Sequence, residues 1–494
     1  MLFEELFLEK ADLQKFQMFR VLKSIGANSM TINDISDRLN LSYQQTYNTF
    51  QDLIRDIRVL DPQLALDRHD LLSQHTFRTS LERYRLFLLE QSLVFQFVDY
   101  LLQASLPTVG DFCERHFVSK STLLRKSAPL KHLMAKYNLR FSYSSMQIIG
   151  DEANIRFFLF IVYWIGFHGI KWPFRNFTSG AVQQSFFTDN PQNDAIIRLQ
   201  QTLLLGIIRL RIDHRALMHN NPMITNLTQH NPRFEQLTFS KKLFPNLTAK
   251  NRQYETRFFF FAQLSLISSA IDNKRRMREL RAFLEAEDSA TWHFTQSLLN
   301  HIATVYHVKI TSTNEPTLVY NIVRVLITAT ILQTSYPKML DFYHEDLSGF
   351  KQTKLYQTIH SYFEQPIIQQ SYPQLMADRQ QTIIHLCYLL QPRLHRFEDQ
   401  KVVQIWLIAE NNDLLTTELQ RLLEHLQIAR IIQPPAKITA ADLILSTIDT
   451  ESPLMQELAT YGIPMLHWNL EANDSDFFDL YSKIRQLYAK KMIP

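Results

Sequence analysis

Between Ser119 and Lys126 the chain reads Ser-Lys-Ser-Thr-Leu-Leu-Arg-Lys. Lys120, Arg125 and Lys126 bring positive charge, and Ser119, Ser121 and Thr122 bring hydroxyls. Such cations neutralise phosphates or donate to guanine edges, and short hydroxyls suit either task. The chemistry on offer is recognition of a polyanion, not bond breaking. Lys131, Lys136 and Arg140 extend the set downstream. A second set, Tyr43, Gln44, Gln45 and Asn48, stands at the corresponding place 77 residues earlier. Its amides can pair bidentately with adenine. Arg55 and Arg58 sit close enough in sequence to hold phosphates beside it. For both sets a solvated polar helix face is the bland alternative.

Residues of this kind need a scaffold that projects them together, and the sequence repeats one. The stretch from Thr31 aligns without a gap on the stretch from Thr108. Thr31/Thr108, Asp34/Asp111, Arg38/Arg115, Ser42/Ser119 and Leu53/Leu130 are identical. Ile32/Val109, Ile35/Phe112, Leu41/Val118 and Ile57/Met134 keep the apolar frame. Two copies of one supersecondary unit are expected. In each, Thr31 or Thr108 caps a first helix and Ser42 or Ser119 caps a second. The second helix carries the polar set, as in a helix-turn-helix, whose second helix enters the major groove. Leu139, Phe141 and Tyr143 alternate with polar residues, and Met146 to Ile149 can pair back, so a β-hairpin wing follows copy two. Val59 to Leu71 offers a less regular wing after copy one. Pro129 should kink or stop the second recognition helix near Ala128.

Composition bounds the rest. A chain of 494 residues needs several domains. Only 9 glycines, with abundant Leu, Phe and Gln, favour a mainly helical fold and few phosphate-cradling loops. The net charge of +4 is too mild to decide for or against nucleic acid. Cys113 and Cys387 are too few and too far apart for a disulfide framework, which fits a reducing compartment. The opening residues lack a signal-peptide pattern. The apolar runs from Phe157 and Phe258 fall short of the roughly 18 to 20 residues that span a bilayer. A cytoplasmic protein without membrane contact is expected. His214 and His219 have the wrong spacing for one helix face, and no cysteine joins them, so no metal site is expected. No Walker loop, dinucleotide fingerprint or nucleophile elbow occurs, so neither a cofactor nor catalysis is expected.

From about Gln183 to Arg396 the periodicity predicts amphipathic helices over 195–212, 258–271, 292–305, 318–332 and 379–390. Two helical bundles fit this span. The last hundred residues alternate apolar runs from Val402, Ile428, Ala441 and Gly462 with helical segments, which predicts a small α/β domain with a mostly parallel sheet.

At this point the chain resembles the Mga/AtxA-like family of virulence and global regulators of Gram-positive bacteria. The resemblance rests on the second helix-turn-helix and its wing, on Trp172 to Phe174, and on the run Gly150, Glu152, Ile155, Arg156. It implies tandem N-terminal winged helix-turn-helix units over 1–70 and 71–180. It implies helical-bundle regulation domains of the sugar phosphotransferase system (PTS) over 181–289 and 290–397, and a domain like that system's EIIB component over 398–494. Double-stranded promoter DNA, a transient phosphocarrier protein of that system and a second copy of the chain are the implied partners. His214 matches the regulatory histidine of the first regulation domain, and His385 is the best positional match in the second, ahead of His344 and His360. An ordinary hydrogen-bonded histidine is the alternative for each. The loop Ala409–Asp413 lacks the phospho-accepting cysteine of a true EIIB, which argues against phosphoryl transfer through this domain. Two rivals share parts of the pattern: a PTS-regulated RNA-binding antiterminator, and a scaffold whose helix-turn-helices pack on protein.

Overall fold

Thr31 and Thr108 open helices in the same way. In the computed structural model the Thr31 side chain accepts from the Asp34 N–H, and the Thr108 side chain accepts from the Asp111 N–H. The structure describes residues 2–24, 31–62, 78–237, 239, 241, 244, 246–267, 273–342, 351, 353–394, 402–409, 419–423, 426, 428–433, 436–449, 451–469, 472 and 474–492. It begins with α1 (Phe3–Phe7) and α2 (Lys10–Ser24), and copy one forms α3 (Ile32–Leu39) and α4 (Tyr43–Leu60). Helices α5 (Leu81–Gln91) and α6 (Leu93–Gln103) lead to copy two. That copy comprises α7 (Val109–Arg115), α8 (Lys120–Lys126), α9 (Ala128–Ala135), strands β1 (Arg140–Ser142) and β2 (Gln147–Ile149), and α10 (Glu152–Phe167).

The duplication holds at the level of burial and backbone. Ile35 and Phe112, Thr46 and Leu123, Leu53 and Leu130, and Ile57 and Met134 occupy equivalent places and are all fully buried. Ile32, Val109, Leu41 and Val118 are half-buried. Asn40 and Phe117, again 77 residues apart, both turn the chain in the left-handed region, at φ 52° and 51°. Asparagine tolerates that conformation, but a bulky residue is strained in it. Phe117 is 96% exposed, so its ring gains no packing in return. Phe117→Asn is therefore expected to raise stability by about 0.5–1 kcal/mol, read as a higher melting temperature. An unchanged or lower value would show that the turn is not strained.

The copies differ where Pro129 stands. Copy one has a continuous α4, whereas copy two breaks at Ser127, with Pro129 in the first turn of α9. Proline lacks an N–H and its ring clashes with the carbonyl four residues earlier, so α8 cannot run on. The buried Ser127 hydroxyl bonds the Leu123 carbonyl at 2.8 Å and lies 3.0 Å from the Tyr143 hydroxyl. The break is thereby tied to the hairpin. β1 and β2 pair antiparallel, with Phe141 opposite Ile148 on the inner face. Arg140, Gln147 and Ile149 face out. Residues 63–71 of the expected first wing lie outside the described residues.

Helices continue with α11 (Ser179–Phe187), α12 (Ala195–Asp213), α13 (Pro222–Thr228), α14 (Pro232–Glu235) and α15 (Ala249–Leu266). Then come α16 (Asn273–Ala286), α17 (Ala290–Tyr306), α18 (Pro316–Leu332), α19 (Lys354–Phe363), α20 (Pro366–Ser371) and α21 (Arg379–Leu394). The predicted helices fall in α12, α15, α17, α18 and α21, except that α15 ends at Leu266 and residues 268–271 of the stretch 258–271 lie outside the described residues; the charged α16 was hidden by its low apolar content. Among the described residues no helix is long and apolar enough to cross a membrane.

The chain divides into two compact units, Met1–Leu347 with Thr358–Leu389, and Ser348–Gln357 with Leu390–Pro494. The second holds β3 (Val403–Ile408), β4 (Ala429–Ile432), β5 (Leu443–Ser446), α22 (Pro453–Ala459), β6 (Met465–His467) and α23 (Asp474–Met492). The strands form a parallel sheet in the order β4-β3-β5-β6. Val403, Ile405, Leu443 and Leu445 pack with Trp468 and with Leu480 and Ile484 of α23. Helix α22 supplies the crossover that parallel β5 and β6 require. Ser452 caps it and Pro453 stands in its first turn, a helix start that the sequence reading above did not pick out. Of the loop Ala409–Asp413, residues 410–413 lie outside the described residues.

Candidate nucleic-acid interface

Helix α8 is held from beneath by Leu123, which is fully buried. Ser119 caps it by accepting from the Thr122 N–H at 3.1 Å, and its hydroxyl also lies 2.8 Å from Ser121 Oγ and 2.9 Å from Thr122 Oγ1. An aromatic cluster fixes the wing against the same helices. Phe97 of α6 meets Phe112 at 5.2 Å, Phe141 at 5.3 Å and Tyr143 at 5.8 Å between ring centroids. Lys120, Ser121 and Arg125 are exposed, and Thr122 and Lys126 are half-buried. Lys120 and Arg125 form no ion pair among the described residues. Lys131, Lys136 and Arg140 are exposed as well.

Lys126 differs from its neighbours. Its ammonium pairs with the carboxylate of Glu9, between α1 and α2. A phosphate must displace that carboxylate before Lys126 can serve it. Glu9 lies 117 residues away in sequence, and no local pattern foretold the pairing.

In copy one, Tyr43 is 54% exposed, and Gln44 and Asn48 are exposed and bonded to each other at 3.0 Å. Gln45 is partly used up, because its side chain accepts from the Ser42 N–H and completes a capping box. Arg55 pairs with Asp52 at 3.0 Å on the surface, and Arg58 is exposed. Lys15 and the Tyr84 hydroxyl both donate to Asp56, at 2.6 and 3.0 Å, which fastens α4 to α2 and α5.

The base of the wing is anchored by buried charge. Gly150 has φ 154°, and a Cβ there would stand 2.3 Å from Leu139 Cδ2 and 2.9 Å from the Asn138 carbonyl. Only glycine fits this approach. Two residues on, Glu152 accepts from Arg156 Nε at 2.8 Å and from Arg211 of α12 at 3.0 and 2.7 Å. Arg156 is fully buried and donates to both oxygens of Glu255 on α15, at 2.5 and 3.2 Å, and to the Ala216 carbonyl at 2.9 Å. Glu255 also accepts from the Met218 N–H at 2.9 Å. Burial alone would lower the Arg156 pKa, but the charges of Glu255 and Glu152 override it and raise it. Two arginines and two glutamates make the cluster neutral, as a buried ionic site must be. Trp172 to Phe174 has a packing role nearby: Phe174 lies against Gly206 of α12, where a Cβ would meet its ring at 2.4 Å.

Residues 77–163 match the Mga helix-turn-helix domain. A relative named "Putative trans-acting regulator", from Streptococcus pneumoniae serotype 4 (strain ATCC BAA-334 / TIGR4), is 28% identical over 109 residues. That stretch is 21% of this chain and 22% of the relative, so the chain spans about a fifth of the curated relative it matches. Over about a fifth of its length the chain is therefore similar to the Mga helix-turn-helix domain. The matched Mga domain runs from ahead of α5 into α10 and so contains α8, the wing and the Glu152–Arg156 pair.

The candidate histidines have contrasting surroundings. His214 caps the C-terminus of α12, half-buried, three residues past Arg211. Burial, then Arg211, lower its pKa, with Asp213 opposing. His360 on α19 is partly exposed, 3.8 Å from Glu364, which also pairs with Arg379 at 3.2 Å. His344 lies outside the described residues. His385 on α21 is largely enclosed, and its Nδ1 is buried without a hydrogen-bond partner. Burial, then the cations Lys338 and Arg324, push its pKa down to about 3. A phosphoryl group on Nδ1 therefore requires its surroundings to open first.

This histidine has a measurable consequence. Its folded pKa lies below the unfolded value, so the unfolded chain takes up a proton that the folded chain refuses. Its contribution is complete above about pH 6.5 and is lost as pH falls below that value. Between pH 7 and pH 5 the loss is about 2 kcal/mol. The difference in melting temperature between these pH values should therefore shrink in His385→Gln; an equal difference in both proteins would place the titration elsewhere.

Proposed function

We propose that this chain is a transcription regulator that binds double-stranded promoter DNA through α8 and the wing, with copy one beside it. The observation that carries this reading is the Mga helix-turn-helix match over residues 77–163, in which Lys120 and Arg125 stand exposed and without ion pairs among the described residues. Lys120, Arg125, Lys131, Lys136 and Arg140 supply charge for phosphates, and Ser121 and Thr122 supply short donors. Tyr43, Gln44, Gln45 and Asn48 give copy one a neutral, amide-rich surface suited to base edges. Most of the affinity then comes from phosphate neutralisation and falls with salt.

Regulation in this reading comes from the sugar phosphotransferase system. Its phosphocarrier protein transiently docks on the helical middle and phosphorylates His214, with His360 as the more accessible of the later candidates and His385 the less accessible. The added negative charge pulls on Arg211, the cation beside His214. Two copies of the chain pair, with the C-terminal α/β unit contributing as an EIIB-like interaction module. The parallel sheet in that unit fits such a module. Residues 181–289 and 290–397 take the part of the two regulation domains.

Fluorescence anisotropy of labelled duplex, titrated with the full chain at several salt concentrations, tests the DNA reading. Expected is a linear fall of log affinity with log salt and weak competition by RNA. Binding that ignores salt, or RNA that competes better than duplex, would overturn it. Incubation with phosphoenolpyruvate and the phosphotransferase proteins should label His214 and leave His214→Ala unlabelled; no histidine label removes the regulatory half alone.

A further inference from the structure

Helices α12, α15, α16 and α18 surround a cavity of about 1240 Å³ that the DNA reading does not use. Its apolar wall includes Ile197, Leu264, Ile267 and Phe283. Apolar and polar residues share the lining about equally, which suits an amphipathic ligand. The polar groups are uneven. Asp194 is occupied by the Ile196 and Ile197 N–H groups, at 2.9 and 3.0 Å. Glu279 is occupied by Arg275 at 2.8 Å and Arg233 at 3.5 Å. Three charged groups on the wall, Arg276, Asp189 and Glu287, take part in no ion pair among the described residues. Arg276 is half-buried. Gln201 is buried, and its Oε1 has no hydrogen-bond partner.

The charge near Arg276 is also unbalanced. Arg324 of α18 is buried and donates to the Leu264 and Ile267 carbonyls at the end of α15. Burial first, and the nearby Arg276 cation, lower its pKa, while Tyr320 and Tyr336 oppose. The Arg324 guanidinium lies 5.6 Å from the ring of Tyr320, which lines the cavity as Arg276 does, and Arg324 has no ion pair among the described residues. An anion against Arg276 would relieve its repulsion of Arg324. Asp189 and Glu287 elsewhere on the wall disfavour a ligand charged throughout. We infer that this cavity binds a small amphipathic organic anion, with a carboxylate or phosphate head on Arg276 and an apolar body against Ile197, Leu264 and Phe283. The far ends of α12 and α15 carry Arg211 and Glu255, the anchors of the wing base.

The test uses the full chain and thermal melting with four probes: octanoate, octyl phosphate, octylammonium and 1-octanol. Expected is a saturable rise in melting temperature with at least one anion, larger than with the cation or the alcohol. The stronger anion identifies the head group. Arg276→Gln, a half-exposed position whose own melt checks its folding, should weaken the apparent affinity at least about tenfold, the worth of one charged hydrogen bond. Ile197→Trp, which fills the cavity from α12, should abolish the rise. The assignment fails if no anion binds, if octylammonium acts like octanoate, or if Arg276→Gln binds as the parent does. DNA affinity is not needed for any of these readouts, so the outcome is independent of the proposed function.

Discussion

Glu255→Gln is expected to destabilise the chain by about 3–5 kcal/mol, the usual cost of removing one partner from a buried ion pair. The shape of the side chain is preserved, and the glutamine oxygen can still accept from the Met218 N–H. What disappears is the charge opposite Arg156, whose side chain is wholly enclosed. Glu152 already accepts from both Arg156 and Arg211, so its single charge cannot balance two cations. The cluster then carries one uncompensated positive charge away from water. A chemical melt of the variant measures the loss directly.

A companion variant separates charge from packing. Removing Arg156 and Glu255 together, as Arg156→Leu with Glu255→Leu, leaves Glu152 and Arg211 as a neutral pair. The double change should cost less than the sum of the two single changes, although the Ala216 carbonyl and Met218 N–H lose partners. Strict additivity would mean that these residues act only through their volume. The result bears on function because Glu152 stands three residues after β2, so the cluster sets where the wing ends.

The sequence made the duplicated unit legible because its signals are local. A threonine or serine cap, an aspartate or glutamine three residues on, and apolar residues at helical spacing all lie within a few turns of one another. Pro129 was legible for the same reason: its ring acts on the carbonyl four residues back. The strands β3 to β6 stood out as short apolar runs between turn signals. The pairing of Lys126 with Glu9 and of Arg156 with Glu255 was not legible, since nothing local distinguishes a buried arginine from an exposed one. Glu152, Ile155 and Arg156 were marked only through the family resemblance, and the structure supplies the reason that resemblance lacked. The enclosure of His385 was hidden likewise. Its helix looks amphipathic in sequence, but which face meets Lys338 and Arg324 depends on segments far away in the chain. Phe117 shows the converse: the repeat aligned it with Asn40, yet the left-handed turn shared by both had no sequence mark at the phenylalanine.

Lys120→Ala combined with Arg125→Ala should lower affinity for duplex DNA at least about tenfold at moderate salt, since even one charged hydrogen bond is worth about 1–3 kcal/mol. It should also reduce the slope of log affinity against log salt by about 1.8, or 0.9 for each phosphate that is no longer neutralised. Both side chains are exposed and unpaired among the described residues, so the melting temperature should hardly move. If one of them reads a base instead, the loss concentrates on particular sequences and the slope falls by only about half as much. Glu9→Gln supplies the opposite sign. It frees Lys126 without adding a group, so affinity should rise and the salt slope should steepen by up to about 0.9. The three substitutions thus predict opposed changes at one surface. A double alanine variant with unchanged affinity and slope would falsify the assignment of α8 to the duplex, whatever Glu9→Gln does. A rise with Glu9→Gln alongside a fall with the double variant is hard to obtain unless the face carrying Lys120, Arg125 and Lys126 meets phosphate.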